Sequence, residues 1–417
     1  MSCSVDMVIP PANTPGRKKK APLKPNEIQG AKYLRNILDL LASLRAHRDC
    51  PNRDLHYDEY VAYMLLYFFT PVVTSMRGLQ QVSTFEAIHR KLKLPRFSLG
   101  AFSEAGRVFD PELLAPVMGE LVDQIAHVHT DRRLDTLGLE PTLVDGTLLH
   151  ALPKMAWALW VDDEHHAAKL HLEYALLKAA PARATVTDGN GNERTVLNDT
   201  LAPGKLYVLD GGYADYGLLG SILDGASSFL VRVRSNSVYK VLEERPVSTE
   251  ACKGGVQEDL IVRLGSDSAP QLHERRLRLL KLQVPNIDAL LGRKRRGRRA
   301  RRKAQDSIAT EYTLWLVTDQ LELDAELVIA LYRYRWQIEL FFRWFKKILE
   351  TEHLLSHSQN GLTLMVYCAL IASLLVRLWT GRKPTKRTYE MVCFHFLGWV
   401  SEVELTDHIE GLQPAVD

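Results

Sequence analysis

Tyr332-Arg333-Tyr334-Arg335-Trp336-Gln337-Ile338-Glu339-Leu340-Phe341-Phe342-Arg343-Trp344-Phe345-Lys346-Lys347 is the stretch on which the reading of this chain turns. Laid on a helix at ~100° per residue with Tyr332 at zero, Arg335 falls near ~300°, Glu339 near ~340° and Lys346 near ~320°. The four side chains thus share an arc of about 60° over nearly four turns. Leu331, Ile338, Phe341, Phe342, Phe345, Ile348 and Leu349 gather on another side and predict a buried stripe. An ordinary wet face pairs Glu with Lys at i,i+4 and places no aromatic hydroxyl among them. Here one glutamate stands in a line of cations and a tyrosine. That pattern suits either a solvated amphipathic helix or a carboxylate that holds a metal beside a phosphate chain.

Two aspartates earlier in the chain share one grammar. Asp145 follows Pro141-Thr142-Leu143-Val144 and precedes Gly146-Thr147; Asp210 follows Lys205-Leu206-Tyr207-Val208-Leu209 and precedes Gly211-Gly212-Tyr213. An acid at the carboxyl end of a buried strand, followed by glycine, projects from a rigid frame where a ligand can approach. The plainer reading is a turn or a helix cap, which Asp-Gly also makes. Asp162, Asp163, Glu164 and Asp319 also stand at strand ends but lack the glycine, and rank second. His165, His166 and His171, and the pair His353 and His357, have no cysteine or carboxylate company, so a closed zinc site is not expected.

The surroundings fix the class. The chain has 417 residues, 46% of them hydrophobic, which excludes a disordered or low-complexity protein and allows a sizeable core. The net charge is only +3, so any affinity for nucleic acid must come from the distribution of charge. Nine of the eleven residues in Arg293–Lys303 are basic. They read as an exposed loop that either touches phosphates or is simply solvated. Five scattered cysteines with no CxxC pair exclude a zinc ribbon and fit a reducing compartment. The N-terminus lacks the apolar core of a signal peptide. Tyr60–Met76 and Leu362–Val376 are apolar but read as core helices, the second being shorter than the ~20 residues a span needs.

Residues 1–26 are a basic arm rich in Pro and Lys. Residues 27–138 are helical in pattern, with Asp110-Pro111-Glu112 opening one helix. After Pro141 come short apolar runs over 142–144, 155–161, 170–177, 206–209 and 229–233, separated by turn chemistry such as Asp188-Gly189-Asn190-Gly191. Residues 235–311 interrupt this rhythm, 312–317 add a strand, and Asp324 opens one long helix running to about Glu350. The remainder is helical. The fold class expected is α/β.

Tyr332, Arg335, Glu339 and Lys346 in the order Tyr-x2-Arg-x3-Glu-x6-Lys resemble the signature of bacterial insertion-sequence transposases of family four. The supporting segments are Asp145-Gly146-Thr147, Asp210-Gly211-Gly212-Tyr213, Lys169–Leu172, Thr185–Asn190 and Phe229–Arg234. The resemblance covers roughly residues 95–375. It implies a ribonuclease-H-like catalytic core over 139–234 and 312–355, with a β-rich insertion over 235–311. An α-helical N-terminal DNA-binding domain precedes this core, and C-terminal helices over 356–417 follow it.

It also implies a DNA transposase, located in the bacterial cytoplasm with the nucleoid, that cleaves element ends and joins their 3′-hydroxyls to target DNA. Two Mg²⁺ ions, or Mn²⁺ in their place, would be held by Asp145, Asp210 and Glu339. Tyr332, Arg335 and Lys346 would hold phosphates. Trp336 would stack on a displaced base, although core packing is the favoured reading of its position. The partners implied are double-stranded DNA at the element ends and target, and a second copy of the chain in a synaptic complex, with no membrane. Many relatives carry arginine where this chain has Gly211, which puts one cationic contact in doubt. A nuclease of the same core without strand transfer, and a DNA-binding relative without catalysis, are the rival readings.

Overall fold

Val144, Tyr207, Leu209, Phe229, Val231 and Val317 face one way from a sheet, while Leu143, Leu206, Val208, Leu230 and Leu316 face the other; all are buried. The short apolar runs are therefore strands covered on both faces, which removes the polar alternation of a half-exposed sheet. The computed structural model describes residues 38, 41–45, 54–127, 131–150, 155, 157–160, 162–265, 272, 274–285, 311–349, 354–383 and 385–411. The basic arm and Arg293–Lys303 lie outside the described residues.

Strand β1 (Glu140–His150) pairs antiparallel with β3 (Asp162–Ala175), which pairs antiparallel with β4 (Ala180–Asp188); β2 (Leu159–Trp160) adds a short rung beside β3. On its other side β1 runs parallel to β5 (Lys205–Leu209), and β5 parallel to β6 (Ser228–Val233). An antiparallel meander followed by two parallel strands, in the spatial order β4-β3-β1-β5-β6, is the ribonuclease-H-like core. The sheet does not stop there. β10 (Glu311–Thr318) pairs antiparallel with β6, and β9 (Leu277–Pro285), β8 (Val256–Leu264) and β7 (Tyr239–Arg245) follow in turn. The strands from residues 235–311 thus extend the same sheet instead of forming a separate layer.

Helices cover both faces. On the Val144 side lie α6 (Glu193–Thr200) and α7 (Tyr216–Asp224), with Leu197, Leu218, Leu219 and Ile222 buried against it. On the Leu143 side, α1 (Tyr57–Phe69), α4 (Leu99–Val108) and α5 (Leu114–Gln124) pack around the long α11 (Gln359–Thr380). The short helices α2 (Met76–Val82) and α3 (Glu86–Leu92) lie between α1 and α4 in sequence, and α8 (Thr249–Lys253) lies between β7 and β8. As Asp110-Pro111-Glu112 predicts, a 3-10 turn begins at Pro111, with the Asp110 carboxylate accepting from the Glu112 N–H at 3.0 Å. α11 is long and apolar enough to cross a membrane, yet its residues are almost all buried in the protein, as expected for a core helix. Its Tyr367 hydroxyl donates to the Ala184 carbonyl of β4 at 3.0 Å and ties helices to sheet. α12 (Lys386–Phe396) and α13 (Glu402–Glu410) close the chain, the Tyr389 hydroxyl donating to the Phe68 carbonyl.

Three expectations need correction. The helix opened by Asp324 is two helices, α9 (Ala325–Tyr334) and α10 (Trp336–Leu349), meeting at Arg335. The Arg335 N–H donates to the Tyr332 carbonyl and the Ile338 N–H to the Arg335 carbonyl, each at 3.2 Å, so i→i+3 bonds tighten the junction. Asp324 precedes α9 without a side-chain cap. Asp145 does not end a strand: β1 continues to His150 on its β3 side, and only the parallel pairing to β5 stops, at Leu143. Among the described residues of the apolar run 155–161, only Leu159–Trp160 is strand.

Candidate active site

Strand alternation places Asp145 on the face of Leu143, and Asp210, one residue beyond Leu209, on the face of Val208. Both acids therefore look toward the side on which α10 packs against β1. α10 is pinned there by Ile338, Phe341, Phe342, Phe345, Ile348 and Leu349, the stripe the wheel predicts, all buried. Phe341 stacks on Phe345 at 5.7 Å and packs against Tyr174 of β3 at 5.4 Å. Burying that face turns Glu339, in the first turn of α10, toward the sheet. An acid is also favoured there by the helix dipole.

One side chain joins the acids. The Arg335 guanidinium donates Nη2 to Glu339 Oε1 at 2.7 Å and Nη1 to Asp145 Oδ2 at 3.3 Å, and only 17% of the side chain is exposed. A planar fork suits two carboxylates at once. The other Asp145 oxygen accepts from the Gly146 N–H at 2.8 Å. Burial, the largest cause, pushes the Asp145 carboxyl up to about 6, against the pull of Arg335 and of that N–H; the charges of Asp210 and Glu193 push the same way. Asp210 Oδ1 accepts from the Gly212 N–H at 2.7 Å and caps the 3-10 turn Gly211–Tyr213. Asp210 is thus a turn cap, as the plainer reading has it, and its charge also reaches Asp145.

Tyr332, half-buried at the end of α9, has its hydroxyl pKa raised chiefly by burial, and lies in the fields of Arg335, Arg232 and Asp210. Lys346 is exposed on α10, two turns past Glu339. Trp336 is 51% exposed, so the favoured core packing is not what it does. The junction at Arg335 starts a new helix at Trp336, and the apolar stripe of α10 leaves that position outward.

Asp319 is not a free rival. It accepts from the Ser228 hydroxyl at 2.8 Å and the Phe229 N–H at 2.9 Å, fastening the end of β10 to β6. The side chains of Asp162, Asp163 and Glu164 lie outside the described residues. His171 is buried in β3, its Nε2 against the Thr187 hydroxyl at 2.9 Å, and burial lowers its pKa to about 4. No group of three or more His, Cys, Asp or Glu among the described residues stands close enough to hold a metal.

The same holds in the acidic cleft, where Arg335 lies between two of the acids. The donor chemistry fits a hard divalent cation: carboxylate oxygens only, mutually repelling, with one pKa already raised. A cation among Asp145, Asp210 and Glu339 would relieve that repulsion once Arg335 yields the space.

Several neighbours escape sequence reading. Arg232, exposed one residue beyond Val231 on β6, runs its stem beside Gly211: a Cβ placed there would lie 4.0 Å from its Cγ and Cδ. A cation therefore stands beside the position where the resemblance puts an arginine in doubt. Glu193 and Lys169 form an ion pair of 2.7 Å behind Gly146. Asn192 caps α6 and Glu193 follows in its first turn, so in sequence this acid looks like ordinary capping. Only the pairing of β1 with β3, which sets Gly146 opposite His171, could have brought it near Asp145.

Residues 137–375, more than half of the chain, match the family described as the transposase DDE domain. A Sinorhizobium fredii protein named as transposase y4zB is 29% identical over 238 residues, 57% of this chain and 60% of that protein, so the chain spans about three fifths of that relative. A Geobacillus stearothermophilus protein named as the transposase of insertion sequence element IS5377 is 21% identical over 303 residues, 72% of each chain. A cryo-EM structure of a piggyBac transposase synaptic complex with hairpin DNA aligns with 94% of this chain and 83% of that one, at a TM-score of 0.39 and 12% identity.

Proposed function

The chain belongs to the transposase DDE domain family, and on that premise we propose that it is a DNA transposase. It cleaves at the ends of an insertion sequence and joins the freed 3′-hydroxyls to target DNA. The observation that carries this reading is the Arg335 guanidinium bridging Asp145 and Glu339, with the charge of Asp210 felt at Asp145. Asp145, Asp210 and Glu339 would hold two Mg²⁺ ions, for which Mn²⁺ substitutes. Such ions supply Lewis acidity, activating water or a 3′-hydroxyl and stabilising the leaving oxygen.

The chain's own residues account for the rest. Asp145 must be deprotonated to serve, and its raised pKa means that its buried setting resists that charge. Arg335 balances the acids in the meantime. Its fork binds phosphate as readily as carboxylate, so it is placed to pass from Asp145 and Glu339 to the entering strand. The Tyr332 hydroxyl donates to a neighbouring phosphate, Lys346 adds a point charge further along α10, and the exposed Trp336 stacks on an unstacked base. Arg232 adds a cation on the Asp210 side.

Residues 27–138 would read the element end, the strands of 235–311 and the Arg293–Lys303 run would add phosphate contacts, and a second copy would complete the synaptic complex. The protein would act in the bacterial cytoplasm, at the nucleoid.

The test uses duplex oligonucleotides from the DNA bordering the gene, incubated with Mg²⁺ and a target duplex. Transposition predicts nicks at the element end followed by joined strand-transfer products. Nicking without joining would favour a nuclease, and DNA binding without either would favour a relative that has lost catalysis.

A further inference from the structure

Gly146 belongs by alternation to the sheet face opposite Asp145, and on that face a second charged group presses against it. A Cβ at position 146 would lie 2.7 Å from Glu193 Oε1 and 3.3 Å from Lys169 Cε. The Glu193 carboxylate therefore stands against the backbone because this residue has no side chain. Lys169 holds it there, donating to Glu193 Oε1 at 2.7 Å and to the Gly191 carbonyl at 3.3 Å. Both side chains are mostly buried, at 18% and 27% exposure. Beside Glu193 lies a cavity of about 10 Å³, lined also by His171, Thr185 and Tyr213. Among the described residues the buried His171 Nδ1 has no partner, and there is room for one water. The field of Glu193 reaches Asp145 and Tyr213.

We propose that Glu193 is a positioning residue of the acidic centre: through the backbone of Gly146 it adds a fourth negative charge behind Asp145, and Lys169 sets how much of that charge the cleft feels. This rests on the metal-binding reading above. The Gly146 N–H that orients Asp145 Oδ1 belongs to the residue against which Glu193 lies. The pair thus acts on the first acid from behind, without touching a ligand itself.

An ion pair that only fastens α6 to the β1–β3 hairpin would be disrupted alike by neutralising either partner. An electrostatic role demands opposite signs. The experiment is calorimetric titration of Mn²⁺ into the full chain without DNA, with thermal melting of the metal-free protein recorded alongside. Glu193→Gln should weaken Mn²⁺ binding about threefold to tenfold, and Lys169→Gln should tighten it by a similar factor. The double substitution should return close to wild type, and Glu193→Asp should recover part of the loss. Both single variants moving in the same direction, or neither moving, would overturn the proposal while leaving the three-acid centre standing. Failure of the wild type to bind Mn²⁺ would overturn both.

Discussion

Asp145 is a carboxylate that the fold holds against its own charge. Burial lifts its pKa to about 6, and Arg335 and the Gly146 N–H only partly offset the lift. Because the folded value lies above the usual 3.8, the folded state binds more protons than the unfolded one between those values. The metal-free protein therefore loses stability as pH rises from about 4 through about 6. Asp145→Asn should raise metal-free stability at pH 7.5 by about 2 kcal/mol, a gain that vanishes near pH 3. Denaturant melts at the two pH values check it, and a stabilisation independent of pH would be the wrong outcome. The acids themselves are legible in sequence, since Asp-Gly after an apolar run and a lone glutamate among cations are local patterns. Glu193 is not, because its approach to Gly146 depends on the pairing of β1 with β3 and on where α6 lands.

At the scale of elements, α10 carries the site. Its buried stripe can be read from the spacing of Ile338, Phe341, Phe342 and Phe345, but the break at Arg335 cannot, since Tyr-Arg-Tyr-Arg-Trp contains neither proline nor glycine. That junction is set by i→i+3 bonds and by the hold of Arg335 on Asp145 and Glu339. Phe345 is fully buried and stacked on Phe341. Phe345→Ala should cost about 3–5 kcal/mol in chemical denaturation. It should also loosen the Glu339 end of the cleft, so that Mn²⁺ affinity falls even at temperatures where the fold persists. Unchanged affinity would show that the helix is held by something other than this contact. Strands are legible for a related reason: both faces of the central strands are covered, so continuous apolar runs mark β5, β6 and β10 directly. The extension of the sheet through β9, β8 and β7 is a matter of long-range pairing, which no local run announces.

Across the whole molecule, the cleft takes two of its acids from the sheet and the third from α10, while its cations come from the α9–α10 junction, from α10 and from β6. DNA binding and cleavage should therefore separate under mutation. Lys346→Ala should weaken duplex binding and reduce the slope of log affinity against log salt by about 0.9, the loss of one phosphate contact. An unaltered slope in a filter-binding series would remove Lys346 from the interface. The proposed function requires Asp145, Asp210 and Glu339 to form a single catalytic centre. It is tested most directly by Mg²⁺-dependent cleavage of an end-bearing duplex by Asp145→Ala, Asp210→Ala and Glu339→Ala, with duplex affinity measured on the same preparations. Each variant should bind DNA within about threefold of wild type and leave the strand uncut. Cutting retained by any one of the three would contradict it.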